Sequence, residues 1–149
     1  DFYLINSASK QYDEEGLLDI IMVSESLEQN PKDDSISLKK PYFQVFQAGE
    51  ATWEITALSG TAYNSGDKID LEQRVEIINQ NKQSSLKTPQ LFIYPNKKSA
   101  STDKPVTLYS PNGFTRAIGM TADLNTKKIA LLDQVRGQYE PSAAPQNAQ

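Results

Sequence analysis

Hydrophobic side chains in this chain recur mostly at every second position, in short runs broken by turn residues. That is the period of a half-buried β-strand. Residues 2–9 read as a strand and 11–16 as a tight turn, in which Gly16 can take φ > 0. Residues 17–27 fit two periods. Leu18, Ile20 and Met22 alternate with Asp19, Ile21 and Val23, whereas Ile21, Ser24 and Glu25 permit a helix; the β-branched centre favours the strand. After a turn at 30–34, residues 35–47 resume the alternation at Ile36, Leu38, Phe43 and Val45, and Pro41 within them implies an edge or a bulge. Ala48-Gly49-Glu50 turns into Trp53, Ile55 and Ala57, and residues 64–67 turn into Ile69, Leu71, Val75 and Ile77. Residues 80–85 read as loop, 91–94 as strand and 95–104 as a second loop.

The most regular pattern lies in residues 105–140. Val106, Leu108 and Tyr109 precede the turn tripeptide Pro111-Asn112-Gly113. Ile118, Met120, Ala122 and Leu124 alternate with Gly119, Thr121 and Asp123. Asn125-Thr126 turns the chain, and Ile129, Leu131, Val135 and Tyr139 share one parity. Asp133 shares it too, which a bulge near residues 132–134 would reconcile. An antiparallel meander follows. Residues 61–75 and 121–135 also repeat at an offset of 60, matching at Thr61/Thr121, Ala62/Ala122, Lys68/Lys128, Ile69/Ile129, Leu71/Leu131 and Val75/Val135. The repeat suits either two hairpins on a common β pattern or a stack of related hairpins that complete each other's core. Turn signals at this spacing, without a long helical pattern, indicate an all-β sandwich, barrel or roll.

Composition narrows the chemistry. The chain's 149 residues suit one domain. With no cysteine and no histidine, it holds no disulfide, no thiolate, no zinc–thiolate site and no histidine base. A net charge of −4 with scattered lysines argues against nucleic-acid binding. No segment approaches the length of a membrane helix. Asp13, Glu14, Glu15, Asp33 and Asp34 offer paired carboxylates, but in turns, where acids commonly cap and solubilise. No catalytic residue, metal ligand or cofactor is assigned. Residues 141–149 are small, polar and uncharged, and read as a mobile tail to a domain spanning 1–140.

Several short motifs, in order and spacing, resemble the periplasmic domain of the LptC family of Gram-negative lipopolysaccharide export. They are Tyr12-Asp13-Glu14-Glu15-Gly16 before an apolar strand, Lys40-Pro41 inside one, and Thr52-Trp53 opening the next. The match is strongest at Val106-Thr107-Leu108-Tyr109, Met120 with Asp123-Leu124, and Val135-Arg136 with Tyr139-Glu140. The resemblance implies an open antiparallel β-jellyroll whose apolar interior receives lipopolysaccharide acyl chains. It implies a non-enzymatic carrier that takes lipid from an inner-membrane ABC transporter and passes it to LptA, whose roll is similar. It also implies a periplasmic domain held by an N-terminal membrane helix that this chain lacks, so that the chain reads as trimmed.

On this reading the lipid-facing candidates are Leu38, Phe43, Trp53, Ile55, Ile69, Leu71, Leu108, Met120, Ile129, Leu131, Val135 and Tyr139. Each also suits ordinary core packing. Gly16 is assigned a structural turn, and Ser110, Arg136 and Tyr139 a partner edge, with Ser110 standing where LptC relatives can carry glycine. The same edges could pair two copies into a homodimer. The basic doublets Lys39-Lys40, Lys97-Lys98 and Lys127-Lys128 suit solvated strand ends or lipid phosphates. Two competing readings stay open: a carbohydrate-binding module with a stacking platform of Trp53, Tyr42, Tyr63 and Tyr94, and a structural adaptor with a filled core.

Overall fold

The computed structural model describes residues 3–79 and 83–139. The expected tail at 141–149 and part of the expected loop at 80–85 lie outside them. The described residues form eleven strands and two single 3-10 turns, with no α-helix. The strands are β1 (Tyr3–Tyr12), β2 (Leu18–Gln29), β3 (Ile36–Lys39), β4 (Tyr42–Gln47), β5 (Glu50–Thr56) and β6 (Ser59–Tyr63). They continue with β7 (Lys68–Asn79), β8 (Ser84–Tyr94), β9 (Ser99–Ser110), β10 (Gly113–Asp123) and β11 (Lys128–Tyr139).

Every pairing is antiparallel. β2 pairs β4 through residues 20–23 and β3 through residues 26–29. β7 likewise pairs β6 through residues 68–72 and β5 through residues 76–79. Thus β3 with β4, and β5 with β6, act as two long strands, each interrupted once. The whole sheet is then a simple meander of long strands, laid side by side in chain order.

The interruptions fall on one line. Asn6 in β1, Gln73 and Arg74 in β7, Gly119 in β10 and Gln134 in β11 all take positive φ, as does Lys40 between β3 and β4. Ladder registers shift between Glu72 and Val75, Lys87 and Phe92, Ile118 and Met120, and Arg116 and Ile118. Bulges bend strands and raise their twist, so a row of them folds the sheet into two facing halves. Local hydrogen bonds secure the corner. The Ser24 hydroxyl donates toward the carbonyls of Ser26 and Lys39 (2.8 and 2.9 Å), and the Leu58 amide donates to the Gln73 carbonyl (2.9 Å). The result is the antiparallel β-jellyroll that the family resemblance implies, and it falls within the all-β classes the pattern indicates.

Pro41 sits on this corner, where the ladder is already broken and its missing N–H costs nothing. Among the described residues, strand reaches into both expected loops. β8 begins at Ser84, and β9 begins at Ser99 after a 3-10 turn at Pro95–Lys97. Residues 18–27 are strand, and the bulge sought near Asp133 is present, with Gln134 at φ 49° and Asp133 exposed. One hydrophobic core unites both halves, from Ile20 and Phe43 to Met120 and Leu124.

Candidate functional site

The centre of the roll is filled. Trp53, Ile55, Leu71 and Met120 are at most 1% exposed, and they pack with Ile77, Leu86, Leu91 and Ile93 between the two half-sheets. Toward β1 the halves part and leave a groove of about 430 Å³. Ile20, Met22 and Phe43 line it from one half, and Leu27, Ile36, Leu38, Ala62 and Ile69 from the other. Ser9, Gln11, Ser65 and Asn96 form its polar rim. Local sequence explains the apolar walls. Ile20 and Met22 share one parity of β2, and the corner at Ser24 shifts the phase, so that Leu27 joins the same groove from the opposite half.

A polar clasp joins the two half-sheets. The Lys98 ammonium lies 2.6 Å from Asp19 Oδ1 and donates to the Phe46 carbonyl at 2.8 Å. The same lysine's carbonyl accepts from the Leu124 amide at 2.9 Å, and the Leu124 carbonyl accepts from the Trp53 indole N–H at 3.2 Å. Asp19 and Trp53 belong to one half, whereas Lys98 and Leu124 belong to the turns of the other. The chain of contacts therefore ties the lips of the roll. Lys98 reaches this position from a left-handed backbone, φ 47°. The Lys97-Lys98 doublet accordingly divides, with Lys97 over the Tyr94 ring and Lys98 largely buried in the clasp.

Among the described residues the two ends of the sheet are free: β1 pairs only with β2, and β11 only with β10. Tyr3, Leu4 and Ile5 are exposed on the first edge; Leu132, Val135 and Tyr139 are exposed on the last. Exposed apolar edges with unpaired backbone groups are templates for another strand.

Sequence-assigned residues divide among these places. Leu38, Phe43 and Ile69 line the groove. Trp53, Ile55, Leu71 and Met120 lie in the filled centre instead. Leu108, Ile129 and Leu131 are half-buried against the core. Val135 and Tyr139 are 52% and 53% exposed, which corrects an enclosed position for them. Register places Tyr139 opposite Gly113 and Val135 near the inward Ala117, but among the described residues no strand lies beyond β11 to cover them.

The Tyr139 hydroxyl contacts that of Thr115. Its ring lies where a Cβ on Gly113 or Gly137 would stand, within 2.7–2.8 Å, so both glycines admit the ring by close approach. Arg136 is on the free strand β11, as expected. Ser110 is not on an edge. It ends β9, which is paired on both sides, and its hydroxyl donates to the Gly113 carbonyl at 3.3 Å across the turn. Gly16 takes φ +85° in the β1–β2 turn, where Asp13 Oδ1 accepts from the Glu15 and Leu17 amides, both at 2.9 Å. Residues Ile20, Met22, Leu27, Ile36 and Ala62 were absent from the assignment.

A carbohydrate platform is excluded for this arrangement. Trp53 is buried, and Tyr42 donates to Glu54 Oε2 at 2.7 Å on the sheet surface. Burial, reinforced by that carboxylate, pushes the Tyr42 phenol up to about 12. The described residues hold no cluster of acidic side chains fit for a metal ion. No helix among them is long and apolar enough to cross a membrane.

Comparison with known proteins agrees with this architecture. No curated protein matches the chain. A solved structure, that of LptH, the LptA-homologous periplasmic component of the lipopolysaccharide transport device of Pseudomonas aeruginosa, is similar with a TM-score of 0.61 at 6% identity. The likeness covers 82% of this chain and 95% of that one, and it concerns the fold alone. The profile of the family described as lipopolysaccharide-assembly, LptC-related, matches residues 1–140. The chain therefore belongs to the LptC family of lipopolysaccharide-assembly proteins.

Proposed function

We propose that this roll is a non-enzymatic relay for lipopolysaccharide. It works in the periplasm, beside an inner membrane to which an N-terminal helix outside this chain holds it. Acyl chains from an inner-membrane ABC transporter enter the groove at the β1 end, and cargo leaves along β11 to an LptA-like roll that pairs with its free edge. The observation that carries this reading is the groove of about 430 Å³, walled by aliphatic side chains from both half-sheets, in a member of this family. Each acyl methylene taken from water there contributes about 0.8 kcal/mol. Binding of this kind needs no catalytic group, and the transporter supplies the work. Any separation of the two half-sheets at their turns would have to part the Lys98–Asp19 clasp. A second copy of the chain could use the same free edges, so homodimers compete with hand-over.

Photo-crosslinking tests the reading. A photoreactive residue at Met22, inside the groove, or at Ile129, on the inner face of the last hairpin, is expected to label lipopolysaccharide. Controls at Val23 and Lys128, on the exposed face of the same strands, are expected to label weakly. Equal labelling inside and outside would reduce the interaction to surface adsorption. No labelling at any site in folded protein would favour an adaptor that works only through its edges.

A further inference from the structure

The chain has three arginines, Arg74, Arg116 and Arg136, and all three border one shallow groove on the outside of the roll. In register, Lys87 of β8 opposes Thr107 of β9, Thr107 opposes Arg116 of β10, and Arg116 opposes Arg136 of β11. The flanking residues Leu86, Val106, Thr115 and Ala117 are buried, so this row points outward by alternation. One hollow of about 510 Å³ has Arg74 and Lys87 on its wall, and an adjoining one of about 360 Å³ has Arg116 and Arg136. The two share Pro105 and Thr107, and they form one continuous groove.

The electrostatics of this groove are unbalanced. Like charges directly opposite across a strand pair destabilise it, yet Arg116 and Arg136 are so placed in a chain whose net charge is −4. The ion pairs of the described residues join Lys39 and Lys40 to Glu25, Lys98 to Asp19 and Lys104 to Asp103; none uses these four cations. One carboxylate, Glu76, lines the groove, at its far end opposite Lys87. Arg116 stands over the Phe114 ring at 4.9 Å and Lys87 over Tyr109 at 5.5 Å. Ring stacking orients the cationic heads while leaving their N–H donors free.

We propose that this outer groove is an anion site for a phosphate-bearing ligand. Arg116 and Arg136 present planar forks that suit the oxygens of one phosphate, and Lys87 and Arg74 extend the site toward a second. A lipid head group and a soluble phosphate ester share this chemistry. The site concerns a polar ligand on the outer surface and is independent of the acyl groove, so either can fail without the other.

The test follows backbone amide and arginine side-chain N–H signals by NMR on the intact chain, with the backbone amides of β9 to β11 reporting on every variant. Inorganic pyrophosphate is expected to shift Arg116 and Arg136 saturably. Arg116→Gln with Arg136→Gln should weaken that binding at least about tenfold, as loss of charge-assisted hydrogen bonds does. Lys127→Gln with Lys128→Gln removes equal charge elsewhere and should change it less than about twofold, as a site outside the groove requires. Arg116→Lys with Arg136→Lys keeps the charge, loses the forks and should bind several-fold more weakly, which also guards against a misfolded glutamine variant. A response to phosphatidylglycerol vesicles and not to pyrophosphate supports the site and assigns its phosphate to a lipid head group. Shifts with polyglutamate alone overturn the phosphate assignment in favour of an acidic protein. No saturable shift with any probe, or equal weakening by the arginine and lysine pairs, overturns the proposal and leaves a solvated strand face.

Discussion

The β6–β7 and β10–β11 hairpins carry the same residues at the same offsets and end in opposite environments. Each ends one strand, turns, and starts a twelve-residue strand. Each long strand also breaks at the matched place, with Arg74 at φ 56° and Gln134 at φ 49°. In β7, Ile69, Leu71 and Val75 are all buried. In β11, Ile129 and Leu131 are half-buried, and Val135 is 52% exposed. Local sequence therefore sets the hairpin and its corner, whereas burial depends on what lies beyond the strand. β7 has neighbours on both sides; β11 has one. The repeat leaves an apolar face on β11 that no described strand covers.

The largest effects should come from matched truncations. Leu71→Ala removes a fully buried side chain from the filled centre and should cost about 3 kcal/mol. Leu131→Ala acts on the half-covered copy and should cost about 1 kcal/mol. Urea unfolding of the two variants measures the difference, and equal losses would break the comparison. Val75→Ala against Val135→Ala extends it. The first should cost about 2 kcal/mol and the second under about 0.5. On the proposed docking, Val135→Asp would spare stability and still weaken pairing with an LptA-like partner, which a binding titration separates from unfolding.

A smaller effect probes how the last hairpin is fastened across the roll. Its turn is joined to the opposite half-sheet through the Leu124 carbonyl and the Trp53 indole N–H. Trp53→Phe leaves that carbonyl without its donor and trims the core; a loss of about 2 kcal/mol is expected. Hydrogen exchange should then quicken more in β11 than in β7. Uniform quickening would mean that the indole supports the whole core and not this hairpin in particular.

Much of the fold was legible, and the failures share a cause. Alternation revealed most strands, and a misplaced acid predicted the bulge at Asp133. The start of β8 at Ser84 and Ser85 and the first half of β9 read as loop because small or polar residues fill them. Ala100 and Thr102 face the core in β9, and Thr88 in β8 spends its hydroxyl on the Gln90 and Pro105 carbonyls (3.2 and 3.0 Å). Pro89 and Pro105 stand where the corner interrupts the ladders. The groove was legible only in part. Leu38, Phe43 and Ile69 were chosen by parity, while Ile20, Met22 and Leu27 were passed over because a corner at Ser24 changes the phase of β2. Nothing in local pattern separates Val75 from Val135, since topology alone decides which is covered.

The smallest effect contrasts a tyrosine inside the sheet with those on its free edges. Tyr42 lies in β4, between β2 and β5, and donates to Glu54. Its phenol is pushed up to about 12 by burial first and then by that carboxylate. Because the folded value is raised, the neutral phenol favours the folded state. That contribution is complete below the unfolded value, about 10, and disappears as pH climbs from there through about 12. Alkaline titration of phenolate absorbance should show one of the seven tyrosines ionising late, and Tyr42→Phe should remove that step. A late step that survives the substitution would move the protected phenol elsewhere and break the contrast.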